Sequence, residues 1–300
     1  MKYDDSIPAS ILNTAFIEKI ENGFIKEAAQ SGSDVIRKEI HEGSFLTKIL
    51  PEEPITAGEL DKDEDLDILK KIVEREPKGA ATWASFDGLP AQRFLTQGSG
   101  VIYFAQIMTD KTVKNKVQLM TRSNDVRKIL ADNNVSYILE QQDGKWIEMC
   151  QATMAAYPAQ DLTKDDFTFS NFAESLGSMV SSKLKINCVL MNEQTRLRTL
   201  PWNADSVGDA TVTKHYEGGI TETDLLGVKC ITTLKTDLVP DYHVWYFTEP
   251  EYLGKFYTLR DATLHIEDKG DHIIFHTTKY CGMSAINTNG IIRCDFTPTP

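Results

Sequence analysis

Long apolar runs are missing from this sequence. No stretch of its 300 residues approaches the ~18 uninterrupted apolar residues of a membrane-spanning helix, so no bilayer crossing is expected. The opening Met1-Lys2-Tyr3-Asp4-Asp5 is acidic and has no apolar core, so a secretory leader is not expected either. Basic charge is scarce: 32 Lys and Arg stand against 44 Asp and Glu, a net charge of -12. A protein whose main task is gripping nucleic acid needs clustered cations to neutralise phosphates, and that class is excluded, although brief or indirect contact with nucleic acid is not. Paired cysteines are lacking as well. Cys150, Cys188, Cys230, Cys281 and Cys294 are odd in number and widely spaced, and none forms C-x-x-C. Free, mostly buried thiols in a reduced compartment follow from that pattern.

What is present is the balance of a soluble globular protein, 41% hydrophobic and 25% charged, long enough for one large domain or two ordinary ones. Leu12, Phe16, Ile20, Phe24 and Ala28 recur every four residues and predict a helix, and a shorter one follows from Ser33 or Asp34 to Gly43. The stretch from Ser44 to Thr109 is different. It holds Pro51, Pro54, Pro77 and Pro90, and between Glu52 and Glu76 it has ten acids and four bases. Its large apolar groups are scattered, and within it Val101 to Ala105 reads as a buried strand. Such a stretch is too long for an ordinary loop and too aromatic for a disordered linker. It predicts a projecting arm or hairpin that lacks the apolar surface to pack on its own body, with its acids meeting the bases of a neighbour or solvent.

Cap residues Ser123-Asn124-Asp125 open a helical stripe through Val126, Ile129, Leu130, Tyr137 and Ile138. Asp143-Gly144 interrupts it before Trp146, Met149, Cys150 and Met154 resume, so one long kinked helix or two in line are both expected. Phe169 to Val180 predicts a helix, Ile186 to Met191 a buried strand, and Glu193 to Leu200 a short helix stopped by Pro201. Strands are expected over 228–233 and 243–247. Thr263 to Glu267 and Ile273 to Tyr280 flank Asp268-Lys269-Gly270-Asp271 as a hairpin, and Asn289-Gly290 before Ile291 to Phe296 signals a second.

Chemical motifs fail on inspection. Gly98-Ser99-Gly100 lacks a third glycine and is followed by a strand where a phosphate-binding helix must open. His265-x-Glu267 has no P-C-x-x-C partner to complete a deaminase zinc site. His272 and His276 are four apart in a strand, which separates them by ~13 Å. No G-x-S-x-G elbow occurs and nothing singles out one cysteine as a nucleophile. Asn134-Val135-Ser136 is a formal sequon inside a predicted helix. Lys114, Lys116, Arg122, Arg127 and Lys128 form the nearest thing to a basic patch, which reads first as a solvated face.

The order of elements carries more than any motif: a helical arm, a long extended loop, a long helix, a mixed α/β segment and terminal hairpins. Together with Phe45-Leu46-Thr47-Lys48-Ile49-Leu50-Pro51, Glu74-Arg75-Glu76-Pro77, Thr223 to Val228, Lys235 to Pro240 and Phe247-Thr248-Glu249-Pro250-Glu251-Tyr252-Leu253-Gly254-Lys255-Phe256-Tyr257, this order resembles the tailed-bacteriophage major capsid proteins of the Hong-Kong-97-like fold. The resemblance runs from about 12 to 296. One departure is that 282–287 keeps a single glycine before the last strand.

The resemblance implies an α+β fold divided into an N-terminal helical arm at 1–44, an extended loop at 45–108, a peripheral domain with spine helix at 109–159 and 259–300, and an axial domain at 160–258. It implies no enzyme activity, cofactor, metal or membrane, and a chain that self-assembles into hexamers and pentamers of an icosahedral virion head around packaged double-stranded DNA, made in the host bacterial cytoplasm. Expected partners are copies of itself, a portal, a separate scaffolding protein and decoration proteins. Phe45, Trp83, Phe86, Arg93 and Phe94 are the expected intersubunit contacts, because aromatics and Arg dominate interface energetics. Two other readings stay open: an encapsulin-like nanocompartment shell, and an enzyme with a site at the strand ends of 160–258.

Overall fold

The computed structural model describes residues 18–22, 43–63, 68–74, 99–117, 126–181, 183–199, 202, 223–225 and 227–297. In chain order its elements are helix α1 (Leu46–Ile49), strands β1 (Glu52–Pro54), β2 (Asp61–Asp63), β3 (Ile68–Glu74), β4 (Ser99–Met108) and β5 (Thr112–Asn115), the long helix α2 (Val126–Ala156), β6 (Asp161–Asp165), α3 (Phe169–Ser181), β7 (Ile186–Asn192), α4 (Glu193–Leu197), β8 (Thr223–Leu225), β9 (Val228–Thr233), β10 (His243–Thr248), α5 (Pro250–Leu253), β11 (Gly254–Lys269), β12 (His272–Ala285) and β13 (Ile291–Thr297).

The strands form two sheets. One runs β6-β13-β10-β7-β9-β8, and its side chains are buried on both faces. Along β10, Val244 and Tyr246 join Phe172, Met179 and Phe296 beneath α3, while Trp245 and Phe247 turn the other way onto Trp146 of α2 and Phe45, Leu46 and Ile49 of the α1 segment. Two-sided burial is why β7 reads as the continuous apolar run Cys188 to Met191 rather than as an alternation. Asn192 then caps α4, its side chain accepting from the Thr195 N–H at 2.7 Å.

The other sheet runs β1-β11-β12-β4-β3-β2, with β5 also paired to β12. Its backbone is the β11–β12 hairpin, in register from Gly254 opposite Ala285 to Lys269 opposite His272. Gly282 lets β4 lie close against β12: a Cβ there would sit 2.9 Å from the Tyr103 carbonyl oxygen, which explains why the single glycine of 282–287 stands at this position.

Of the two readings of the long helical stripe, one long helix is found: α2 is continuous across Asp143-Gly144, with Asp143 wholly buried and held by partners of its own. Two expectations are corrected. Ile291 to Phe296 forms no hairpin with the strand before it. A 3-10 turn at Thr288–Gly290 carries the chain into the first-described sheet, where β13 pairs antiparallel with β10 and parallel with β6. Finally, β4 is not buried outright: Ile102 and Phe104 are, whereas Val101 and Tyr103 are exposed.

Candidate contact surface

The projecting stretch is rooted in the chain's own body. Ser44 and α1 sit against the middle of α2, where Asp143 Oδ1 accepts from Ser44 Oγ at 2.5 Å and from the Leu46 N–H at 3.2 Å. Lys235 Nζ donates to Asp143 Oδ2 at 2.6 Å, and its ammonium lies 5.6 Å from the Phe45 ring centroid. One buried carboxylate thus joins three separate segments. Beyond this root, Ile55, Ile102 and Phe104 pack with Tyr257 into a small cluster. Glu52, on β1, receives a hydrogen bond from Thr258 Oγ1 and lies 2.9 Å from Nζ of Lys279, which is fully buried and 5.6 Å from the Phe256 centroid.

Among the described residues, four acids of the tract are paired within the chain. Glu52 faces Lys279, Glu53 faces Lys255 at 2.5 Å, Glu59 faces Lys71 at 3.1 Å and Asp63 faces Lys70 at 3.0 Å. A hydrogen bond from the Thr56 hydroxyl, then Lys71, holds the Glu59 carboxyl below its ordinary range. Asp63 raises the Lys70 ammonium, and Glu53 raises that of Lys255. Lys116 of the supposed basic patch is likewise engaged, 2.9 Å from Asp268 and 3.7 Å from Glu21.

What the body does not cover is one face of the β3–β4 ribbon. Lys70 opposes Tyr103 and Ile72 opposes Val101, so the period of two puts Ile68, Lys70, Ile72, Val101 and Tyr103 on one side. Lys71, Val73, Ile102 and Phe104 take the other side, toward Tyr257 and Leu259, with Lys71 Nζ 5.0 Å from the Tyr257 ring centroid. On the outward side Ile72 and Tyr103 are each 48% exposed, and Ile68 and Val101 only slightly less. The stripe runs on through Ala105 and Ile107 into a groove of about 880 Å³ between β4 and α2, walled by Gln141, Lys145, Met149 and Ala152, with Met283 at its end.

Of the sequence-chosen contacts, Phe45 is 4% exposed and belongs to the main core, which leaves it no surface for a neighbour. Trp83, Phe86, Arg93 and Phe94 lie outside the described residues. The outward stripe was missed. Val101 to Phe104 is a continuous apolar run like that of β7, so the sequence carried no alternation to show that one face is bare.

In the region 160–258, burial pushes the thiols of Cys188 and Cys230 up to about 12, and outside it that of Cys281 to about 11, far from a nucleophile's range. All five cysteines are free and buried. Among the described residues no three His, Cys, Asp or Glu gather as metal ligands, and no helix is long and apolar enough to cross a membrane.

The long helix, the extended ribbon rooted beside it, the long hairpin and the separate mixed sheet together define the α+β Hong-Kong-97-like capsid fold. The solved structures it is similar to carry the same architecture. The capsid of a native GTA particle matches with a TM-score of 0.64 at 12% identity, over 84% of this chain and 89% of that one. The mature capsid of bacteriophage PhiM1 matches at 0.60 and 10%, over 86% and 88%. A virus-like particle from Pyrococcus furiosus matches at 0.50 and 15%, over 90% and 100%. No protein-family model and no curated relative matches the sequence.

Proposed function

We propose that this chain is a bacteriophage major capsid protein: a non-enzymatic shell subunit that self-assembles into the hexamers and pentamers of a head enclosing double-stranded DNA. The observation that carries the reading is the bare apolar face of the β3–β4 ribbon, projecting from a body with a capsid fold. The one charged side chain described on that face, Lys70, is paired with Asp63, so the strip is mainly apolar to whatever covers it. Exposed contiguous apolar surface of this kind marks an interaction site. A chain of net charge -12 can approach its own copies there without like charges meeting.

In this reading residues 45–108 are the extended loop, the α2 helix is the spine, 109–159 and 259–300 form most of the peripheral domain, and 160–258 the axial domain. Residues 1–44 form the arm. The assembled head would take a portal, a separate scaffolding protein and decoration proteins as partners, and its subunits would be made in the host bacterial cytoplasm. Head-to-tail contacts of one ribbon on the next subunit must close into rings, since open ones make fibres.

The double variant Ile72→Asp with Tyr103→Asp puts two carboxylates on the outward face only. Electron micrographs and sedimentation should show particles for the parent chain and none for the variant, with the melting of the variant's subunit unchanged. Particles from the variant at parental yield would defeat the assignment. The match to a virus-like particle of Pyrococcus furiosus favours a second reading, a nanocompartment shell. Nucleic acid recovered from purified particles supports the head, and a protein cargo supports the compartment.

A further inference from the structure

His265 and His276 face one another directly across the β11–β12 hairpin. Their rings are stacked, with centroids 4.9 Å apart and planes 18° from parallel. His265 Nε2 shares a hydrogen bond of 2.9 Å with Thr278 Oγ1, while His276 Nδ1 is buried without a partner among the described groups. Stacked planes direct the ring lone pairs side by side instead of converging them on one point, so the pair is not built to chelate a metal ion.

The charged groups around the stack are few. Arg260 and Glu267 come from β11 itself, and Glu267 is already taken up by Lys111 at 3.3 Å and Lys269 at 3.7 Å. From β12 the same side carries exposed His272. The strands beside β12 place Met108 opposite Thr278 and Val113 opposite Ile274, neither of them charged. The opposite face of the hairpin is closed by Phe275 and by Thr277, whose hydroxyl accepts from Asn134 of α2 at 2.8 Å. A proton added to His276 Nδ1 would create a cationic N–H that is buried with no acceptor among the described groups. A second proton on His265 would set two like charges ring against ring.

We propose that the His265–His276 stack is a proton-sensitive catch, holding the outer half of the β11–β12 hairpin zipped while both imidazoles are neutral and releasing it on acidification. Burial, then His276 and Arg260, hold the His265 imidazole below its ordinary value, against the opposing pull of Glu267. The neutral form is therefore the one the fold prefers. Its contribution is complete above the unfolded imidazole value of about 6.5 and is lost as pH falls through the lowered folded value. The catch is independent of the assembly reading, because it acts within one chain.

Amide hydrogen exchange on the full chain at pH 7.5 and pH 5.0, corrected for intrinsic rates, tests it. Protection over 263–269 and 272–278 should fall roughly tenfold or more at pH 5.0, the equivalent of one unit of differential proton affinity, while that of 186–192 and 243–248 holds. In His276→Phe, which keeps a stacked ring without a titrating one, the selective loss should vanish. If that variant fails to fold, the parent's own His265 resonances decide: a titration below the ordinary imidazole value is expected. Equal protection at both pH values in the parent, the same selective loss in His276→Phe, or a His265 titration at or above about 6.5 would each overturn the proposal.

Discussion

The β6–β13–β10–β7–β9–β8 sheet and the β3–β4 ribbon are made of similar residues and end in opposite states. Each is rich in Ile, Val and aromatic side chains. In the sheet, α3 closes one face and α2 with α1 closes the other, so Trp245, Tyr246 and Phe247 are all but inaccessible. In the ribbon, Tyr257 and Leu259 close one face, and Ile72 and Tyr103 on the other stay half exposed. The difference lies not in strand chemistry but in how many covering elements the chain supplies. Where it supplies two, the strand is core. Where it supplies one, the strand keeps a bare face among the described residues.

That contrast predicts which property each substitution moves. The largest effect is expected in the sheet: Phe247→Ala removes a ring packed 5.9 Å from Trp146 and 6.5 Å from Trp245 and should cost about 3–5 kcal/mol of unfolding free energy, read by denaturant titration. A loss below about 1 kcal/mol would erase the distinction between the regions. Next comes Asp143→Ala at the root of the ribbon. It should cost about 2–3 kcal/mol, less than the ~3–5 of a fully buried pair, because Lys235 is 30% exposed and can turn to water. Asp143→Asn, which can still accept from Ser44, should recover part of that. The smallest effect is Tyr103→Ser on the ribbon's outer face, expected to change subunit stability by no more than about 0.5 kcal/mol. A larger loss would mean that the outer face is covered by the chain itself.

Much of this was legible in the sequence. The helical stripe of α2, the buried run of β7, the alternating strand β9, the apolar strand β10 and the hairpin turn at 268–271 are local patterns, set by periods of 3.6 and 2 and by turn residues. The projecting segment was also readable, since prolines, acids and scattered apolar groups cannot make a core alone. Its charges misled, because ion pairs such as Glu52 with Lys279 join residues more than two hundred positions apart and leave no spacing to read. Phe45 misled for a similar reason: an aromatic at the base of an arm looks like an anchor for a neighbour until α2 is found beneath it. The His265–His276 pair was hidden by looking along one strand at His272 and His276 instead of across the hairpin.

Composition and periodicity by themselves determined a thiol-bearing chain of mixed helix and strand, with a limb too poor in apolar groups to make a core of its own. They did so because propensity, turn chemistry and amphipathic period act over a few neighbouring residues. Only the tertiary structure decided which face of that limb is bare, which acids are neutralised and which histidines meet. Those outcomes depend on which distant segments arrive beside one another, and cover, charge pairing and ring stacking act through space with no regard for order along the chain.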